Sequence, residues 1–264
     1  IEIVAHRSFW SAVFLILYLY LFSGFGREML RKGIKELWLL FLSGTLIAIN
    51  WYGFIYAVNS GNALQASLGY YLFPLVAVFL GIVFNREKFT YTLIFSISLV
   101  VVSVISLVYM NGEVPSLALI LAFSFGFYGL IKSNLKLDPI SSVTYETILI
   151  TPLAILMMFL FSEPVIKREV LFSSSTIILL VFSGLITAVP LVLFSTGTKV
   201  FSYATVGLIQ YLNPTIQFLI AIFYFKEVFE VGHALAFSLI WVALFIYCLL
   251  YTSDAADASL RVDL

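Results

Sequence analysis

Seven side chains with ionisable or hydrogen-bonding heads, Arg7, Asn50, Gln65, Glu146, Gln210, Asn213 and Gln217, stand inside otherwise apolar stretches, with Trp51, Tyr70, Tyr71, Tyr128 and Tyr211 close by in the sequence. The chemistry such a set offers is recognition. Amides and phenols exchange hydrogen bonds, a guanidinium meets an anion, and aromatic faces cover the apolar parts of a small molecule. Catalysis would need a nucleophile with its base, or a metal set. The chain has two histidines, His6 and His233, and one cysteine, Cys248, so no catalytic residue, metal site, disulfide or cofactor is expected. It also lacks a phosphate-cradling glycine loop, so ATP-driven pumping by this chain alone is not expected.

Three prolines bear on the same region. Pro74, Pro190 and Pro214 fall within expected helices, where each removes a backbone donor and frees a carbonyl one turn earlier. Freed carbonyls are tolerated where they face protein or water, so these positions read as cavity-lining breaks or hinges, with a packing kink as the plainer alternative. Glu146 has two readings. If buried it is a candidate proton carrier; otherwise it is a carboxylate at headgroup level, and on sequence alone the second is preferred. Glu87 and Glu227 end their helices beside Arg86 and Lys226, and local ion pairs or caps account for them.

The elements that must position these residues are membrane-spanning helices. The chain is 62% hydrophobic, 11% charged and has a mean hydropathy of +1.09, too apolar for a soluble domain to keep a wettable surface. Only helices and closed barrels satisfy their backbone in lipid, and apolar runs of about twenty residues select helices over alternating strands. The expected spans are 5–24, 37–58, 63–85, 91–110, 115–133, 142–161, 175–198, 203–225 and 232–250, giving an all-α protein of about nine transmembrane helices.

A shift of 140 positions lays the chain on itself without gaps. Leu39, Leu40, Ser43, Gly44, Ala48 and Phe54 fall on Leu179, Leu180, Ser183, Gly184, Ala188 and Phe194; Tyr71, Leu72, Pro74, Glu87 and Phe89 fall on Tyr211, Leu212, Pro214, Glu227 and Phe229. The offset pairs helices one to four with six to nine and leaves helix five without a counterpart, which would lie before Ile1. The organisation read from this is a first repeat over 1–110 lacking its first helix and a second over 115–250. Five helices per repeat invert the second copy in the membrane, as secondary transporters do.

Loop charge sets orientation. One side holds Arg27, Arg31, Lys32, Lys35, Arg86, Lys88, Lys132, Lys136 and Lys199; the other holds Arg7, Lys167, Arg168 and Lys226, so the first is expected to be cytoplasmic. Net charge is zero with no massed basic surface, which excludes nucleic acid as a partner. The expected partners are a small-molecule solute and membrane lipid, with a homodimer left open.

From Cys248 the text changes character. Cys-Leu-Leu-Tyr-Thr-Ser-Asp-Ala-Ala-Asp back-translates to a sequence similar to the transposase adapter of sequencing libraries, so 248–264 is expected to be an artefactual tail. Ile1 is not an initiator methionine, and the start reads as truncated.

The strings His6-Arg7-x-x-Trp10-Ser11, Asn50-Trp51-x-x-Phe54-Ile55, Ala66-Ser67-Leu68-Gly69-Tyr70, Ala122-Phe123-Ser124-Phe125, Thr187-x-Val189-Pro190-Leu191 and Gln210-Tyr211-x-x-Pro214-Thr215 resemble the RarD subgroup of EamA-type permeases, in the drug/metabolite transporter superfamily. That resemblance covers nearly all of residues 1 to 247. It implies ten helices in two EamA repeats, an inner-membrane location and a central cavity lined by the first four helices of each repeat. Some members carry a chloramphenicol-sensitivity label. The resulting expectation is a permease whose substrate-cavity residues are Arg7, Asn50, Trp51, Tyr70, Tyr71, Tyr128, Gln210, Tyr211 and Asn213. The competing class is a membrane receptor or assembly subunit with no flux.

Overall fold

The computed structural model describes residues 2–22, 34–85, 91–111, 114–161 and 174–201, with 203, 206, 207, 210, 212–227, 231, 232, 234, 235, 237–243, 245 and 246. Its helices are α1 (Glu2–Phe22), α2 (Ile34–Asn59), α3 (Ala63–Asn85), α4 (Tyr91–Asn111), α5 (Ser116–Asn134), α6 (Pro139–Phe161), α7 (Ser174–Val200) and α8 (Leu212–Phe223). Among the described residues there is no strand. Among the described residues six helices, α1, α2, α3, α5, α6 and α7, are long and apolar enough to cross a membrane.

Helix ends follow from local chemistry. After Asn59 the chain leaves α2 through Gly61, whose φ of 71° favours a residue without a side chain. The Asn62 N–H donates to the Ala57 carbonyl at 2.8 Å and the Gly61 N–H to that of Val58 at 3.4 Å, a Schellman closure. Asp138 opens α6 by accepting from the Ser141 N–H at 3.1 Å, with Pro139 at the first helical position, where its missing donor leaves nothing unsatisfied.

The chain forms two units, each drawing one segment from either half of the sequence. Residues 1–52 and 127–202 make the first; 53–126 and 203–264 make the second. In the first, α1 packs on α6 and α7, and α6 packs on α7. Small residues permit the closest crossings. A Cβ on Gly184 would lie 2.4 Å from that of Trp10, and one on Gly44 would lie 3.2 Å from the Glu146 carbonyl. Gly44 and Gly184 are equivalent under the 140-residue shift, as are Trp10 and Ile150, whose Cβ would meet Gly44 at 3.6 Å. In the second unit α3 packs on α4 and α8 around a core that includes Leu68, Tyr71, Leu72, Phe218, Phe237 and Ile240.

Two expectations change. Span 203–225 is not one helix: Tyr203, Val206 and Gly207 are helical, Gln210 sits in a turn, and α8 begins at Leu212. Pro214 therefore occupies a first turn, where no intrahelical donor is required, whereas Pro74 and Pro190 lie inside α3 and α7. Pro152, inside α6, is a third internal proline. Residues 248–264 lie outside the described residues.

Candidate functional site

In the first unit Arg7, one turn and a half into α1, reaches both α7 and α2. Its Nε donates to Thr187 Oγ1 at 2.9 Å, and its guanidinium carbon lies 4.9 Å from the centre of the Trp51 ring. The Thr187 hydroxyl donates in turn to the Ser183 carbonyl at 2.6 Å. Asn50 is buried beside Trp51 in α2, and Ser11 binds α1 to α7 by donating to the Gly184 carbonyl at 2.9 Å. A planar cation held between an aromatic face and a hydroxyl is fixed in orientation.

A second polar cluster joins α2, α5 and α6. The Lys132 ammonium donates to Glu146 Oε1 at 2.9 Å and to Ser142 Oγ at 2.6 Å, and both side chains of the ion pair are at most 2% exposed. The Ser43 hydroxyl also binds Glu146 Oε1. Tyr128, one turn before Lys132 on α5, presents its ring 5.6 Å from the ammonium and stacks on Phe194 at 5.9 Å. Near it, the Lys199 ammonium donates to the Leu135 carbonyl at the end of α5, where a cation meets the negative end of the helix.

These contacts correct two sequence readings. Glu146 is not a water-facing headgroup carboxylate, because it is enclosed and paired about 10 Å along α6 from its start, at 1.5 Å per residue. Lys132 is not a loop cation, because it lies within α5 and is buried in the ion pair. Sequence reasoning missed Lys132, Ser43 and Ser142 as site residues. The signal was the tight 135–138 connection, which sets the end of α5 beside the start of α6 and so brings Lys132 against Ser142 and Glu146.

In the second unit the expected residues take several places. Tyr70 makes edge contacts with Phe54 at 5.9 Å and Phe125 at 6.3 Å. Tyr71 is buried in the aromatic core against Phe237 and Trp241. Gln210 is half-buried in the turn before α8, and Asn213 is exposed, its Oδ1 accepting from Gln217 Nε2 at 3.2 Å. Ser67 on α3 donates to the Pro214 carbonyl at 3.0 Å. Tyr211 lies outside the described residues, as do His233 and Glu87. Glu227 is a cap: its two oxygens accept from the Ala63 and Leu64 N–H groups at 2.7 Å each.

Between α1, α2 and α6 the first unit holds a cavity of about 690 Å³, lined by Val4, Thr45, Ala48, Ile49, Tyr52, Ile150, Leu153, Ala154 and Met157. Arg7, Asn50, Trp51 and Glu146 are not in that lining. Among the described residues no group of His, Cys, Asp or Glu is arranged to hold a metal.

Long apolar helices that bury a lysine and a glutamate against each other, and hold a part-buried arginine on a hydroxyl and an indole ring, define a multi-pass helical membrane protein. The chain belongs to the EamA-like transporter family, whose model matches residues 1–109 and 114–249. It is 41% identical over 251 residues to the uncharacterized transporter YojE of Bacillus subtilis, covering 94% of this chain and 84% of that protein. It is 36% identical over 249 residues to the uncharacterized transporter PA0485 of Pseudomonas aeruginosa, covering 94% and 83%. Protein RarD of Salmonella typhi is 34% identical over 247 residues, covering 93% and 84%. A crystal structure of a protein 17% identical superposes with a TM-score of 0.64 over 94% of this chain and 87% of that one, a likeness of fold.

Proposed function

We propose that the protein is a secondary transporter that moves a small metabolite or drug-like solute across the bacterial inner membrane by alternating access between two inverted repeats, 1–110 and 115–250. The observation that carries this reading is the duplication. Its 140-residue offset pairs the Gly44 crossing with the Gly184 crossing, so the scaffold is built twice, and an odd number of helices per repeat turns one copy over. A passive receptor has no use for such a pair.

In this reading the residues that recognise solute are drawn from Arg7, Asn50, Trp51, Tyr70, Tyr128, Gln210, Tyr211 and Asn213, whereas Tyr71 serves the aromatic core. Arg7 selects solutes bearing a planar anion, the amides exchange hydrogen bonds and the rings cover apolar parts. Pro74 and Pro190, and the turn at Gln210 ahead of Pro214, are the places where backbone can yield. The side rich in Lys and Arg is cytoplasmic, and removing Lys132 and Arg7 from the loop counts preserves that bias. Lipid surrounds the bundle, and a homodimer is compatible with it. One relative in Pseudomonas aeruginosa is named a chloramphenicol-sensitive RarD protein, which makes chloramphenicol a compound to include among test solutes.

Asn50→Ala and Tyr211→Ala test the lining. Both are expected to cut solute flux in proteoliposomes while leaving membrane expression intact; undiminished flux in both would contradict it. Saturable binding of a solute without flux by the full-length protein would favour a receptor.

A further inference from the structure

The ion pair between α5 and α6 asks for a reason beyond stability. A buried pair gains little over well-packed apolar side chains of the same volume, since each charge must give up its water. The equivalent crossing elsewhere in the fold is made with a histidine in place of this carboxylate. Ser43-Gly44 on α2 and Ser183-Gly184 on α7 are equivalent, and each glycine admits a facing helix: α6 at Glu146 and Ile150, α1 at Trp10 and Ser11. At the second crossing the helices are joined by Ser11 donating to the Gly184 carbonyl, and the position equivalent to Glu146 is His6. The scaffold is duplicated and the carboxylate is not.

We propose that Glu146, set against Lys132, is a proton-binding site whose occupancy decides whether α2, α5 and α6 are locked together. As a carboxylate it draws Lys132 from α5 and Ser43 from α2 onto one oxygen, a three-helix junction. On proton uptake from water an O–H bond forms on Glu146, the carboxylate becomes a neutral acid, and the ion pair is lost. Lys132 keeps its charge and its bond to Ser142 and so parts from Glu146, while the Ser43 hydroxyl goes on donating to the Glu146 oxygen, now the carbonyl of the acid. Each uptake therefore adds one positive charge to the site and loosens one junction, the pairing of charge with motion that coupling requires.

The groups around Glu146 are Lys132 and Tyr128 on α5 and Ser43 on α2. Farther along the packed helices stand His6 and Glu2 on α1, Arg7 held by Thr187 and Trp51, and Lys199 held at the Leu135 carbonyl of α5. Among the described residues Glu146 is the carboxylate of this cluster, so a protonation signal is assignable to it. The link to flux rests on the transport reading; the proton site rests on the cluster alone.

Infrared difference spectroscopy of the full-length protein in liposomes, titrated with acid, reads the site without a solute. The wild type is expected to develop a carboxylic-acid C=O band that Glu146→Gln abolishes with helicity unchanged. Ser43→Ala, which keeps both charges, is expected to move the band's frequency by removing a hydrogen bond, and it assigns the band if Glu146→Gln does not fold. An identical band in Glu146→Gln, or a band unmoved in Ser43→Ala, overturns the proposal. In the same liposomes, Glu146→Gln is expected to keep exchange of any transported labelled solute but lose its accumulation under a pH gradient. Accumulation equal to wild type overturns the coupling, whereas a wild type inert to every solute sinks the transport reading and leaves the band standing.

Discussion

Arg7 shows how much one residue's placement decides. A guanidinium can lie flat on the Trp51 ring while its Nε bonds Thr187; an ammonium can do one or the other, with less of its charge on the ring face. Arg7→Lys is therefore expected to lower flux of an anionic solute about tenfold, the equivalent of a single stacked cation contact, with expression unchanged. Equal flux of anionic and neutral solutes in that variant would show that Arg7 serves packing. At this scale the sequence is legible in type and poor in partner. Arg7, Asn50 and Glu146 stand out because polar groups in apolar runs are expensive, and the structure buries all three or holds them part-buried. Lys132 was hidden because it lies one turn from a helix end, where a lysine ordinarily extends to water, and only the tertiary approach of α6 supplies its carboxylate.

At the scale of elements, crossings rather than propensities carry the fold. In lipid there is little apolar driving force between helices, so close approach of small residues does the holding. Gly184→Ala inserts a methyl within 2.4 Å of the Trp10 Cβ and 2.6 Å of its backbone carbonyl carbon, and is expected to cost about 1–3 kcal/mol in detergent unfolding. Gly44→Ala, at 3.2 Å from the Glu146 carbonyl, should cost less. If the two glycines prove equally tolerant, the account of the crossings is wrong. Glu227→Ala removes the cap on α3 and is expected to destabilise by about 1 kcal/mol, with Glu227→Gln between it and wild type. Spans of α1 to α7 could be read from hydropathy because their length is set by the bilayer. The break at Gln210 could not, since Leu208, Tyr211 and Leu212 keep the apolar pattern through it, and the repeat partner Tyr71-Leu72-Phe73-Pro74 is continuous helix. Nor does hydropathy separate a first-turn proline from an internal one.

For the molecule as a whole, the duplication is legible in the sequence, whereas the grouping of helices is not. The family model matches residues 1–109 and 114–249, yet each unit combines residues from both stretches, with the unit boundaries falling inside α2 after residue 52 and inside α5 after residue 126. Such interleaving follows from contacts between helices far apart in the chain, which a single sequence does not report. The central claim is solute movement. Uptake and efflux of a panel of labelled metabolites and chloramphenicol, measured with and without a proton gradient in proteoliposomes holding the full-length protein, test it most directly. The account predicts saturable, gradient-dependent flux of at least one anionic or zwitterionic compound; silence across the panel from protein shown to be folded would contradict it.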